Sequence, residues 1–278
     1  MGRDENLPPL DLERSYGIAP LTAGSGMSKA EYGSWLEANL WRPSRTAGLE
    51  VADDISEASW IGDNLQPGAF QVGMMVPDCF EAYARLFFPF VGERIYSDDR
   101  AVDNERITWA ETARRNGRVA HALMEAETIS AANQPPQLYS SFSTDQETAL
   151  WPILERHTGS QQAWFLLWDG FGGVDPRPFE SHPKVEHWGR SYHLLHGPLA
   201  ARDGFSDPPS YIWPDDRAWC LITDIDWYWA YAAGTKACIH EIVATPILDA
   251  FVTVPSNLAR SGMDTINDPD GSIPRTLA

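Results

Sequence analysis

The sequence predicts an α+β fold with a mixed, largely antiparallel sheet and flanking helices. Helix-like and strand-like segments follow one another without the strict β-α-β alternation that is typical of parallel sheets. One segment, Ala163–Trp168, is apolar at every position, as a central strand covered on both faces would be. The chain has 278 residues, of which 43% are apolar and 12% aromatic, and this is ample for a core.

Capping patterns predict four helices. The first helix begins at the capping pair Ser28 and Glu31 and ends at Pro43, and the second begins at Thr108 and Glu111 and ends at Gly117. The third begins at Thr144 and Glu147 and ends at Gly159, and the fourth begins at Gly234-Thr235 and ends at Pro246. The third helix contains Pro152, where we expect it to kink or restart, because proline removes a backbone donor.

Apolar and alternating runs predict the strands. They are Phe70–Pro77, Ala163–Trp168, Tyr192–His196, Ala218–Asp226 and Phe251–Val254. The stretch Asp78–Phe90 is ambiguous, since it could form a helical turn or a strand over Tyr83–Phe88.

Composition shifts predict three parts. Residues 1–59 form an N-terminal arm with one helix, because the first 27 residues are rich in Pro, Gly and charge, and a polar stretch follows at Arg45–Glu57. Residues 60–258 form a single α+β domain. Residues 259–278 are polar, contain Gly and Pro, and are expected to be a frayed tail.

The charge balance points to a class of partner. The formal net charge is −18, with 39 acidic and 21 basic residues. A phosphate backbone or an anionic membrane would be repelled, so we expect no nucleic acid and no membrane partner. A basic protein would be attracted. The alternative is that the acidity only keeps the protein soluble.

Cysteine usage and the N-terminus predict a cytoplasmic protein. Cys79, Cys220 and Cys238 form no C-x-x-C pair, which fits buried thiols in a reducing compartment. The first residues contain no apolar signal-peptide core.

Asp224 and Asp226 are the strongest candidates for catalysis. On the predicted Ala218–Asp226 strand both carboxylates would project from one face. Such a pair can share a divalent cation or act as general acid and base. This predicts a metal-dependent hydrolase in which His193 or His240 assists. The alternative is that the strand end leaves the core and both side chains meet water.

Other catalytic motifs are incomplete. His240-Glu241 begins a zinc-protease H-E-x-x-H pattern, but Ala244 stands where the second histidine belongs. Gly170–Gly173 lacks the spacing of a phosphate loop, and Gly24-Ser25-Gly26 lacks the flanks of a nucleophile elbow. The remaining clustered histidines, His182, His187, His193 and His196, match no zinc pattern. Apart from the Asp224/Asp226 alternative, we expect no cofactor and no metal site, and whether the chain is an enzyme stays open.

The segment Tyr211–Gly234 is the densest in aromatic rings and carboxylates. Exposed tryptophans beside aspartates are typical of interfaces and of sites for cations or sugars. The predicted binding residues are Trp213, Asp215, Asp216, Asp224, Asp226, Trp227 and Trp229. Trp164, Trp168 and Trp219 are expected in the core. The alternatives are core packing for each indole and a turn or helix-capping role for Asp215 and Asp216.

This segment also carries a resemblance. The string Trp213-Pro214-Asp215-Asp216-Arg217-Ala218-Trp219-Cys220, continued by Thr223–Asp226, Tyr231 and Gly234, resembles a group of uncharacterised proteins from GC-rich actinobacteria. The similarity extends to Ala82–Pro89, Trp164-Phe165, Trp168–Gly170, Gly172-Gly173 and Arg190–Leu195, and so covers about residues 68–245. The resemblance implies one coherent domain and no particular activity, cofactor or catalytic residue.

The leading functional hypothesis is an acidic protein-binding domain without catalytic activity. An immunity or antitoxin protein that covers a basic effector is one form of it. The metal-dependent hydrolase using Asp224 and Asp226 is the alternative from another class.

Overall fold

The computed structural model confirms the α+β fold class. It describes residues 29–66, 68, 70–97, 100–130, 137–187 and 189–274, so Ser28 and Gly24-Ser25-Gly26 lie outside the described residues. Within these ranges all pairs of strands are antiparallel, and helices flank the sheet strands. No helix in the described ranges is both long enough and apolar enough to cross a bilayer.

The helices are α1 (Lys29–Asn39), α2 (Ser59–Asp63), α3 (Trp109–Arg115), α4 (Ala126–Ile129), α5 (Thr144–Arg156) and α6 (Lys236–Val243). The strands are β1 (Glu50–Val51), β2 (Ala82–Phe87), β3 (Phe90–Ser97), β4 (Arg100–Ile107), β5 (Gln162–Trp168), β6 (Lys184–His187), β7 (Arg190–Pro198), β8 (Tyr211–Pro214), β9 (Trp219–Thr223), β10 (Trp229–Gly234) and β11 (Ala250–Thr253). The ambiguous stretch before Phe90 is therefore a strand, β2.

The predicted caps of α3 and α6 are confirmed. The Thr108 hydroxyl accepts a hydrogen bond from the Glu111 N–H at 3.1 Å, and the Thr235 hydroxyl accepts one from the Cys238 N–H at 3.2 Å. Each bond satisfies one of the backbone donors that a helix start leaves unpaired. Gly117 adopts φ +64° just after α3, the left-handed conformation predicted there.

The cap of α5 differs from the prediction by one residue. Ser143 and Gln146 form the capping box, with reciprocal bonds of 3.3 and 3.1 Å, in place of Thr144 and Glu147. Burial decides between these two registers, because Gln146 is buried and its amide donates to the Phe87 carbonyl at 2.8 Å. The helix continues through Pro152 without the expected restart and ends at Arg156.

Two predicted strands need correction. Phe70–Pro77 forms a 3-10 turn over Val72–Met74 and only a single bridge at Gln71, because Phe70 turns the chain with φ +52°. The Ala218–Asp226 strand ends early, at Thr223, and Asp224 begins the turn that leads to β10. In both places an apolar or alternating pattern continued past the point where the backbone turned.

The chain divides into two compact units. Unit 1 comprises Met1–Ser59 and Ser160–Asp215, and unit 2 comprises Trp60–Gly159 and Asp216–Ala278. The predicted division into residues 1–59, 60–258 and 259–278 as domains stays a prediction.

Unit 1 is built on the strand order β1-β7-β5-β8, and β6 pairs with the other end of β7. The predicted central strand β5 is confirmed, since it pairs with β7 on one side and β8 on the other. Across these strands Phe165 lies opposite Leu195 and Ile212, and all three are buried. The Phe205 ring packs on this face, 5.2 Å from that of Phe165.

Four charged side chains hold α1 within unit 1. The Arg177 guanidinium donates to Glu37 at 2.6 and 2.7 Å and to the buried Asp175 at 2.9 and 2.6 Å. Arg42 bridges the same two carboxylates at 2.5 Å. Burial opposes ionisation of Asp175, but hydrogen bonds from Arg177 and Arg42 hold the pKa of its carboxyl below the ordinary value.

Unit 2 has the strand order β9-β10-β2-β11 and a separate β3–β4 hairpin. Its aromatic core centres on Trp109, whose ring stacks on Phe87 with centroids 4.4 Å apart. Trp219 is fully buried, as predicted, and its indole N–H donates to the Leu154 carbonyl of α5 at 2.8 Å.

The segment after residue 258 differs from the predicted frayed tail. Met263, Asp264, Asn267 and Asp268 are buried within unit 2. The Glu125 carboxylate accepts hydrogen bonds from the N–H groups of Gly262 and Asp264 at 2.8 and 3.3 Å. A polar, Gly-containing sequence can therefore be ordered when buried carboxylates satisfy its backbone donors.

Candidate binding site

The predicted binding residues are divided between the two units. Trp213 and Asp215 belong to unit 1, and the other five belong to unit 2. Trp213 has no exposed surface, so the prediction that its indole faces water is wrong. It lies on β8 opposite Trp164, and burial of a large ring outweighed its sequence proximity to aspartates.

Asp216 has the turn role that was one of the alternatives. Its carboxylate accepts a hydrogen bond from the N–H of Ala218, two residues later, at 3.1 Å. It also accepts hydrogen bonds from the Thr158 hydroxyl at 2.9 Å and from the Gly159 N–H at 2.7 Å. The carboxylate thus closes its own turn and joins it to the segment after α5 within unit 2.

The predicted Asp224/Asp226 pair on one strand face is wrong. Both residues lie in the turn between β9 and β10, where Asp224 is buried and Asp226 is exposed. The Asp224 carboxylate accepts a hydrogen bond from the Asp226 N–H at 3.0 Å, as an aspartate that initiates a turn does. Among the described residues, no group of three or more His, Cys, Asp or Glu side chains is arranged to hold a metal ion.

Trp227 and Trp229 are half-buried and belong to an aromatic stack. Their rings are nearly parallel, at 9°, with centroids 6.0 Å apart, and Tyr231 meets Trp227 edge-on at 5.6 Å. The buried guanidinium of Arg85 lies 3.8 Å from the Trp229 ring centroid, and desolvation lowers the pKa of this arginine to about 10. The cation that engages this indole therefore comes from the protein itself.

A surface pocket of about 380 Å³ in unit 1 was missed from the sequence. It is lined by Glu50, Val51, Ala52, Asp53, Asp54, Ser56, Glu57, Trp164 and His196. Its volume lies within the range of small-ligand sites. Most of its lining comes from the polar stretch Arg45–Glu57, which the composition of the sequence places in the N-terminal arm.

The floor of the pocket is a row of side chains across three strands. His196 on β7 lies opposite Glu50 of β1 and opposite Trp164 of β5, and directly opposed residues of antiparallel strands share a face. The imidazole and indole centroids are 4.3 Å apart. Trp164 is half-buried, so the prediction that it belongs wholly to the core is corrected.

One predicted binding residue, Asp215, borders this pocket. Its carboxylate lies 3.0 Å from His196 Nε2 and is more than a third exposed. Asp215 follows β8, which places it beside His196 although the two residues are 19 positions apart in sequence. The hydrogen bond orients the imidazole within the pocket.

The pocket carries a concentrated negative charge. Glu50, Asp53, Asp54 and Glu57 supply four carboxylates to its wall. Hydrogen bonds from the Ser56 N–H and hydroxyl, at 2.9 and 2.8 Å, hold the pKa of the Asp54 carboxyl below its ordinary value. Asp53 lies 3.3 Å from His182 Nε2. Carboxylates that line a pocket attract a cation by charge, and an indole in the same lining can attract it through its ring face.

The signal for this pocket in the sequence was weak. The segment Glu50–Glu57 contains four acidic residues and no basic one, which marks local charge but not a cavity. Trp164 and His196 join it only through strand pairing.

No family model matches the chain, and neither do curated proteins or solved structures.

Proposed function

We propose that the protein is a non-enzymatic, acidic protein-binding domain whose unit 1 pocket receives a cationic side chain of a basic partner. One observation carries the proposal: four acidic residues, His196 and the half-buried indole of Trp164 line a single pocket. An immunity or antitoxin protein that covers a basic effector remains one form of this function.

The charges act at two distances. At long range, a net charge of −18 accelerates encounter with a basic protein, an effect that salt weakens. At contact, an arginine or lysine side chain in the pocket would meet carboxylates and the indole face together. A cation above a tryptophan ring contributes about 0.5–2 kcal/mol, according to how far it is desolvated. The pocket therefore supports both fast association and selection of a cation.

A pull-down comparing two charge-matched double variants tests the proposal. Glu50→Gln with Asp54→Asn removes two pocket carboxylates, whereas Asp63→Asn with Glu180→Gln removes two exposed carboxylates elsewhere. Each immobilised protein is incubated with lysate of the source organism at low and at high salt.

We expect a basic protein that is retained at low salt by the native protein and the control variant but is lost from the pocket variant. The matched net charge removes non-specific attraction as an explanation. Identical sets of retained proteins for the two variants would contradict the proposal.

A further inference from the structure

Unit 2 contains a buried positive charge on β2, the guanidinium of Arg85. The side chain is 1% exposed. Among the described carboxylates, those of Glu125 and Asp264 act on it through their charge, but neither forms a hydrogen bond with it. A buried cation is unfavourable unless an anion in contact with it compensates for the lost hydration. The fold thus leaves the charge of Arg85 without a counter-ion in contact.

One edge of this guanidinium also lacks hydrogen-bond acceptors. Its Nη1 atom donates to the Ala122 carbonyl at 2.8 Å and to the Met124 carbonyl at 3.4 Å. Its Nε and Nη2 atoms are buried and have no hydrogen-bond partner in the part of the chain that the structure describes. These two nitrogens form the edge through which an arginine binds a carboxylate with two parallel hydrogen bonds. The unpaired atoms therefore match the two oxygens of one carboxylate.

Aromatic rings surround the guanidinium. Its central carbon lies 3.8 Å from the ring centroid of Trp229 and 4.5 Å from that of Phe87. Tyr231 of β10 and Phe251 of β11 lie directly opposite Arg85, and directly opposed residues of antiparallel strands share a face. Phe87 and Tyr231 are buried, whereas Trp229 and Phe251 are half-buried. A ligand that displaces one of the two half-buried rings would reach the guanidinium from the solvent.

We propose that unit 2 binds a small monocarboxylate with an apolar body, whose two oxygens accept hydrogen bonds from Nε and Nη2 of Arg85. The charge selects a monoanion, because one guanidinium neutralises one negative charge and the carboxylates of Glu125 and Asp264 repel a second. The apolar body replaces the contacts of the ring that it displaces. The site lies beyond the proposed function, and the two proposals are independent of each other.

Isothermal titration with benzoate tests the site, and benzamide is the uncharged control ligand of similar shape. The quantity compared is the ratio of the two dissociation constants, measured at neutral pH for each protein against itself. Arg85→Met retains an unbranched side chain between the rings and removes the charge. Arg114 is exposed on α3, so Arg114→Met is the matched control for the loss of one positive charge.

We expect the native protein and Arg114→Met to bind benzoate at least about tenfold more tightly than benzamide, because hydrogen bonds between charged groups are stronger than those to neutral ones. Arg85→Met should lose this preference. A native protein without the preference would overturn the proposal, and so would a preference that Arg85→Met retains.

Crystals of the native protein soaked with 4-bromobenzoate decide the matter if Arg85→Met does not fold. The anomalous signal of bromine locates the ligand. A carboxylate on the Nε and Nη2 edge of Arg85 supports the proposal. Bromine at another place only, or a water molecule on that edge in the soaked crystal, would refute it.

Discussion

Unit 1 should lose stability as the pH falls below about 6.5, because it buries the neutral form of His193. This side chain is 5% exposed and stacks on the Phe179 ring at 4.0 Å. Burial lowers its pKa to about 4, and the charge of Lys184, which lies opposite on β6, acts in the same direction. His193→Phe keeps a ring against Phe179 and removes the titration.

The magnitude follows from the pKa in the two states. In an unfolded chain a histidine has a pKa of about 6.5, and in the folded protein that of His193 is about 4. Between these values the unfolded state binds one proton more, so the free energy of unfolding falls by about 1.4 kcal/mol per pH unit. From pH 7.5 to pH 5.3 this group removes about 1.6 kcal/mol.

Urea denaturation at these two pH values measures the effect, and both lie above the isoelectric point of 4.6. The native protein and His240→Gln contain the buried imidazole and should lose stability on acidification. His193→Phe should lose about 1.6 kcal/mol less. Apart from the exposed His240, which the control variant lacks, the other titrating groups are common to all three proteins and cancel in the comparison.

A loss of stability that is the same in His193→Phe and in the native protein would refute this reasoning. It would mean that His193 takes up its proton in the folded protein as readily as in the unfolded chain. A loss larger in the variant than in the native protein would contradict the sign.

Two further predictions concern carboxylates of unit 2. Asp264→Asn should lower the free energy of unfolding by about 3 kcal/mol. Asp264 is fully buried, and its carboxylate accepts hydrogen bonds from the backbone N–H and the side-chain amide of Asn267, both at 2.9 Å. The control variant Asp270→Asn changes an exposed carboxylate and should alter the free energy of unfolding little. Urea titrations check this, and equal stabilities would show that these bonds contribute nothing net. Millimolar Mg²⁺, Mn²⁺ or Ca²⁺ should not raise the melting temperature through Asp224 or Asp226, because the first carboxylate closes a turn and the second points to water. A metal-induced rise that disappears in Asp224→Asn would instead support the hydrolase.

Local signals predicted much of the secondary structure. Thr108 and Thr235 begin helices because a threonine hydroxyl at the N-cap accepts a hydrogen bond from the N–H three residues later, a contact within one turn. The apolar run Ala163–Trp168 predicted a central strand, which β5 is, although Trp164 and Trp168 on one of its faces are half-buried rather than covered. The misplaced start of α5 shows the limit of such signals, since Ser143 and Thr144 are both capping residues and the packing of Gln146 against β2 decided between them.

Three of the predicted binding residues are engaged within the fold for a related reason. Trp213, Asp224 and Trp227 are near one another in sequence, but Trp213 is buried on β8, a turn engages the Asp224 carboxylate, and a ring stack leaves Trp227 half-buried. Proximity along the chain gives no measure of exposure, because burial depends on what the other face of a strand meets.

Composition and local pattern were enough to establish the fold class, the ends of several helices and the acidic character of the chain, because each depends on residue type or on contacts within one turn. The pocket of unit 1 required the folded chain. Glu50, Trp164 and His196 are separated by more than a hundred positions at the extremes, and the register of three antiparallel strands brings them into one row. Strand register depends on long-range pairing, and a shift by one residue would place these side chains on the opposite face.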